Sequence, residues 1–155
     1  MNNWFECKIR YDKTLENGLQ KKVTEPYLVD ALSFTEAEAR IIEEIKPFIS
    51  GEFTVSDIKR ANLSELFPSD EEAADKWFKC KLLFITLDEK SGNEKKISSL
   101  VLVQAADLRD AVKKLDENMK GTMADYEIYS ITETPIMDVY PYQAETDVKP
   151  EFQGA

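Results

Sequence analysis

The chain has 155 residues, with 20 basic and 30 acidic side chains, no histidine and two cysteines. That length suits one compact domain or two very small ones, and 43% hydrophobic residues are enough for a real core. The net charge of −10 weighs against a sequence-independent grip on nucleic acid and against docking on an anionic membrane. Missing histidine removes the commonest general base, the familiar catalytic triads and most zinc sites.

Taken in chain order, the first element is a strand. Phe5, Cys7, Ile9 and Tyr11 alternate with Trp4, Glu6, Lys8 and Arg10, the two-residue period of a half-buried strand. A turn at Asn17-Gly18 leads into a second strand over 21–29. Ser33 with Glu36 forms a capping box, and Phe34, Ala37, Ile41, Ile45 and Phe48 make one apolar helical stripe, closed by Pro47 and Gly51. A third strand is expected over 52–60, then a short extended piece ending in Leu66-Phe67-Pro68. The acidic linker 69–76 carries a second capping box, Ser69 with Glu72, and predicts a short helix. No stretch approaches ~18 apolar residues and the first ten residues lack the apolar run of a signal peptide, so a soluble cytoplasmic protein is expected, with no membrane partner.

From Trp77 the pattern starts again. Trp77-Phe78-Lys79-Cys80-Lys81-Leu82 repeats Trp4-Phe5-Glu6-Cys7-Lys8-Ile9 at an offset of 73. A turn at Ser91-Gly92-Asn93 precedes a strand over 95–104. Asp107 caps a helix whose buried face is Leu108, Ala111, Val112, Leu115 and Met119, with Gly121 as its stop. A strand over 125–132 follows, Pro135 interrupts it, and Ile136 to Pro141 repeats Leu63 to Pro68. The chain therefore reads as a tandem duplication of a ββαβ unit: 1–68, linker 69–76, 77–142, then a frayed polar tail 143–155. The fold class is α+β: antiparallel sheet with the helices packed on one face, the two repeats in a pseudo-twofold arrangement around a shared core. About 70 residues alone would be marginal.

The doubled W-F-x-C-K motif and the two proline-terminated blocks resemble an uncharacterised family of small proteins from Bacteroidetes and their phages, a domain of unknown function. The similarity runs to about Tyr142 and implies no activity, so it transfers no catalytic residue. An association with phage would raise the nucleic-acid reading described next.

Charge is uneven: 1–27 and 77–104 together carry a net +3, leaving −13 for the rest. Alternation places Trp4, Lys8 and Arg10, and likewise Trp77, Lys79 and Lys81, opposite the core, a mixture of aromatic and basic side chains that single-stranded nucleic acid binders use. The plainer alternative packs each tryptophan at a seam and leaves the lysines as solvated strand edges. Cys7 and Cys80 share the core faces and behave as small apolar residues; they could approach each other if the first strands of the two halves paired, which leaves a redox pair or thiolate metal site as the lesser reading. Tyr126, Tyr129, Tyr140 and Tyr142 make an aromatic group divided between core and interface. The carboxylate pairs read as solvated helix faces rather than a metal site. The expectation is a non-enzymatic binding or assembly module without metal or cofactor. Its partner would be a protein, a second copy included, or a small polar ligand; single-stranded nucleic acid is the alternative.

Overall fold

The computed structural model describes residues 3–142, and the expected frayed tail lies outside them. Eight strands form two mixed four-stranded sheets, each with one helix. The described residues divide into two compact units, one built from 3–61 together with 138–142, the other from Asn62–Met137.

In the first unit β1 (Trp4–Thr14) and β2 (Gln20–Asp30) form a hairpin, α1 (Phe34–Ile45) follows, and β3 (Phe53–Ala61) pairs antiparallel on the other side of β1. The hairpin turns at Gly18, whose φ of +83° is a conformation glycine adopts without steric cost. Ser33 Oγ accepts the Glu36 N–H at 3.1 Å, so the expected helix cap forms. The next short strand, β4 (Glu65–Phe67), joins the second unit's sheet.

There β5 (Lys76–Leu87) and β6 (Glu94–Ala105) form the hairpin, Asp107 caps α2 (Leu108–Met119) through the Asp110 N–H at 2.8 Å, and β7 (Asp125–Thr134) pairs with β5. The final strand, β8 (Val139–Tyr140), returns to β2. The strand orders are β3-β1-β2-β8 and β7-β5-β6-β4. Each sheet has a bulge at the same place: Ser56 is the extra residue opposite Lys8/Ile9, and Tyr129 opposite Lys81/Leu82.

Three expectations are corrected. The sheets are mixed, because β8 runs parallel to β2 and β4 parallel to β6. A hairpin forces antiparallel pairing, but neither short strand is joined by a hairpin to the strand it meets, so the parallel ladder is open to it. The cores are also two, each within its own unit. Phe5, Cys7, Ile9, Val29, Ala37, Ile41 and Ile45 form one; Phe78, Cys80, Leu82, Val101, Val103, Ala111 and Leu115 form the other. Finally, the linker makes a turn at residues 72–73, not a helix. Ser69 Oγ takes the N–H of Glu71 rather than that of Glu72, Gln104 Oε1 takes the Ser69 N–H, and Lys114 binds both Ser69 and Glu71.

Candidate functional site

The helix stripes are shorter than their sequence pattern. Ala37, Ile41 and Ile45 are buried, whereas Phe34 and Phe48 are exposed. Pro47 cannot extend an α-helix from its interior, so the chain tightens into a 3-10 turn over Lys46–Phe48 that turns Phe48 out to 76% exposure. In α2, Leu108 and Val112 are likewise exposed.

The outward turn of Phe48 builds a groove. Tyr11, Asp12, Lys13 and Thr14 at the end of β1, Gln20 at the start of β2, and Phe48 to Glu52 enclose about 590 Å³. A second hollow of about 370 Å³ adjoins it, shares Tyr11, Asp12 and Glu52, and adds Arg10, Lys22 and Thr54. Both lie at the hairpin-loop end of the first unit. Tyr11 Oη donates to Glu25 Oε1 at 2.8 Å, and Lys13 Nζ stands 3.7 Å from the other oxygen of Glu25. Burial and that carboxylate push the Tyr11 hydroxyl up to about 12, so it remains a neutral donor. Among the described residues Arg10, Lys22, Asp12 and Glu52 form no ion pair. The groove therefore offers unpaired charges of both signs, neutral hydrogen-bonding groups, and one exposed aromatic ring.

Of the six candidate binding residues read from the sequence, only Arg10 reaches this region, in the wall of the second hollow. Trp4 and Trp77 do lie on the sheet faces opposite the cores, yet each is only 4% exposed, leaving no open ring face for a base to stack on. Lys8 is half-buried between Pro26 and Asp57 on the neighbouring strands. Lys79 is exposed, and Lys81 Nζ lies 4.8 Å from the ring centroid of Tyr129, which is 65% exposed. The six residues are divided, three in each unit.

The cysteines do not meet across paired first strands. Both sides of β1 are occupied by β2 and β3, and both sides of β5 by β6 and β7. Each thiol is free and buried in its own core; burial pushes Cys7 up to about 12 and Cys80 to about 11. Among the described residues no group of three or more Cys, Asp or Glu side chains could hold a metal ion. No helix of those residues is long and apolar enough to cross a membrane. The tyrosines divide as well: Tyr140 stacks on Tyr27 with centroids 6.2 Å apart, Tyr126 packs against Phe84, and Tyr142 lies under Arg40.

Two basic residues that composition does not single out prove central to the fold. Arg40 is the seventh residue of α1 and Lys114 the seventh of α2. Counting from the caps Ser33 and Asp107 would have aligned them.

A family described as "Domain of unknown function (DUF4494)" matches residues 3–142. No curated protein and no solved structure matches the chain.

Proposed function

The chain belongs to this family of unknown function, and from its own residues we propose that it is a non-enzymatic binding module taking a polar ligand into the groove of the first unit. The observation that carries this reading is the lining of the groove and its adjoining hollow: Asp12 and Glu52 around Tyr11, shared by both, with Gln20 and the Phe48 ring in the groove and Arg10 and Lys22 in the hollow, the four charges forming no ion pair among the described residues. Its volume lies within the range of small-molecule sites, and its polarity favours a ligand with both donors and acceptors over an apolar one. Protein-observed NMR with monosaccharides, amino acids and nucleosides as probes tests it. Shifts should gather on Tyr11, Gln20 and Ser50 to Glu52. A panel that leaves these amides unmoved at millimolar concentration would overturn the reading, as would efficient turnover in a hydrolase or phosphatase panel.

Single-stranded nucleic acid is kept as a second reading by one observation, the Lys81–Tyr129 pair beside exposed Lys79. A labelled oligonucleotide should then gain anisotropy at low salt and lose it in the Tyr129→Ala variant. No gain sinks that reading.

We also read the chain as a duplication of one ββαβ unit. Matching strand orders, bulges at Ser56 and Tyr129, and caps at Ser33 and Asp107 support it, together with the sequence offset of 73 to 74.

A further inference from the structure

The two short strands close their sheets in the same way. Leu66-Phe67-Pro68 and Val139-Tyr140-Pro141 share one chemistry: aliphatic, aromatic, proline. In β4, Leu66 lies beside Leu102 and Phe67 beside Val103; in β8, Val139 lies beside Leu28 and Tyr140 beside Val29. Both ladders are parallel, and each aromatic ring packs on the core of the unit it joins. Just past the aromatic residue a basic side chain from the seventh position of the helix grips the chain. Lys114 Nζ donates to Ser69 Oγ at 3.0 Å, and Arg40 Nη2 donates to the Pro141 carbonyl at 3.3 Å.

Two sockets thus accept the same aliphatic–aromatic–proline pattern in the same direction, each from a segment that is remote in sequence. The β2 socket is the more weakly filled. Its ladder spans two residues against three for β4, supplemented by one bond from the Leu28 N–H to the Asp138 carbonyl at 3.1 Å. Among the described residues no strand lies along the outer edge of β2 from Gln20 to Tyr27. A peptide entering there would find more edge than β8 uses, interrupted only at Pro26, which has no N–H.

We propose that the outer edge of β2, with Arg40, is a peptide-recognition site. It binds an aliphatic–aromatic–proline segment of a partner protein as an added parallel strand, in exchange for β8. The backbone ladder supplies affinity, and the aromatic pocket beside Tyr27 with the Arg40 grip supplies specificity. The chain's own two occupants define the motif. As the covalently attached β8 is present at high effective concentration, an external peptide binds the unaltered chain only as often as β8 leaves. This proposal does not rest on the groove reading.

The test is fluorescence anisotropy of a labelled peptide spanning residues 62–69, NLSELFPS, with the full-length chain and with full-length Val139→Asp/Tyr140→Asp. The variant should bind about tenfold or more tightly than the unaltered chain, because its own strand competes less. The peptide carrying Phe67→Ser should bind neither. If the variant keeps its far-ultraviolet circular dichroism yet ignores the peptide, or accepts the serine peptide equally, the proposal fails. A doubled mass by light scattering with no peptide uptake would point to a second copy and also overturn it. Should the variant not fold, NMR of the unaltered chain decides. Millimolar peptide should move the amide signals of Leu28, Val29 and Tyr140 together, and unmoved signals refute the exchange.

Discussion

Arg40 Nη2 donates to the backbone carbonyl of Pro141, 101 residues away in sequence, at 3.3 Å. The same guanidinium donates to the carbonyl of Asp30 at the end of β2 and lies over the ring of Tyr142 at 5.7 Å. One side chain therefore joins the helix, the hairpin and the returning strand. Its fork of donors makes this possible, since a lysine ammonium cannot present two fixed parallel directions.

Replacing Arg40 by alanine should destabilise the chain by about 1.5–3 kcal/mol, the range for hydrogen bonds to charged groups. The half-buried pair with Glu44 adds little, because at 3.9 Å it stands at the outer limit of an ion-pair contact. Urea unfolding gives the total, and amide exchange at Val139 and Tyr140 should accelerate most. Arg40→Lys should recover less than half.

Lys114 is only 9% exposed and stands 2.9 Å from Asp110 and 3.1 Å from Glu71. The Ala106 N–H and the Lys114 ammonium hold the Asp110 carboxyl below its usual value. Its contribution is thus complete above the unfolded carboxylate pKa, near 3.9, and is lost as pH falls through the lower folded value. Lys114→Met should shift acid unfolding, followed by circular dichroism, to higher pH. An unchanged acid midpoint would contradict this account.

Above neutrality the sign reverses. Cys7, Cys80, Tyr11 and Tyr140 are all raised, to about 12, 11, 12 and 12, chiefly by burial. The folded chain then keeps protons that the unfolded chain releases. The stability these four groups contribute should be full below about pH 9 and decline from there toward pH 12. In the native state neither thiol should react with a thiol reagent at pH 8, and both should react in guanidinium. Native labelling within minutes would be incompatible with buried thiols.

Trp4 and Trp77, each 4% exposed, should emit at short wavelength and resist acrylamide quenching. Unfolding should shift the emission red and expose both. Strong quenching of the native chain would show that a ring is open to solvent.

Truncating Ile41 or Leu115 to alanine should cost about 2–5 kcal/mol each, because both are fully buried and leave a cavity. Thermal unfolding checks the two units in turn.

Local order was legible in the chain itself. Period-two alternation places Phe5, Cys7 and Ile9 on one face, Gly18 and Gly92 mark the turns, and Ser33 and Asp107 cap the helices. These are contests between neighbouring residues, so nearby sequence decides them. Alternation also put Trp4 and Trp77 opposite the cores, but a face assignment does not say whether that face is wet, and both proved buried. The groove was hidden because it depends on Pro47 turning Phe48 outward toward β1.

The lack of histidine removed the histidine-based triads and most zinc sites, and repetition outlined two similar ββαβ segments. The pairing of β4 with β6 and of β8 with β2 was decided only in three dimensions. A two- or three-residue strand carries no pairing preference of its own. Its partner is set by which sheet edge, aromatic pocket and basic helix residue its connection can reach.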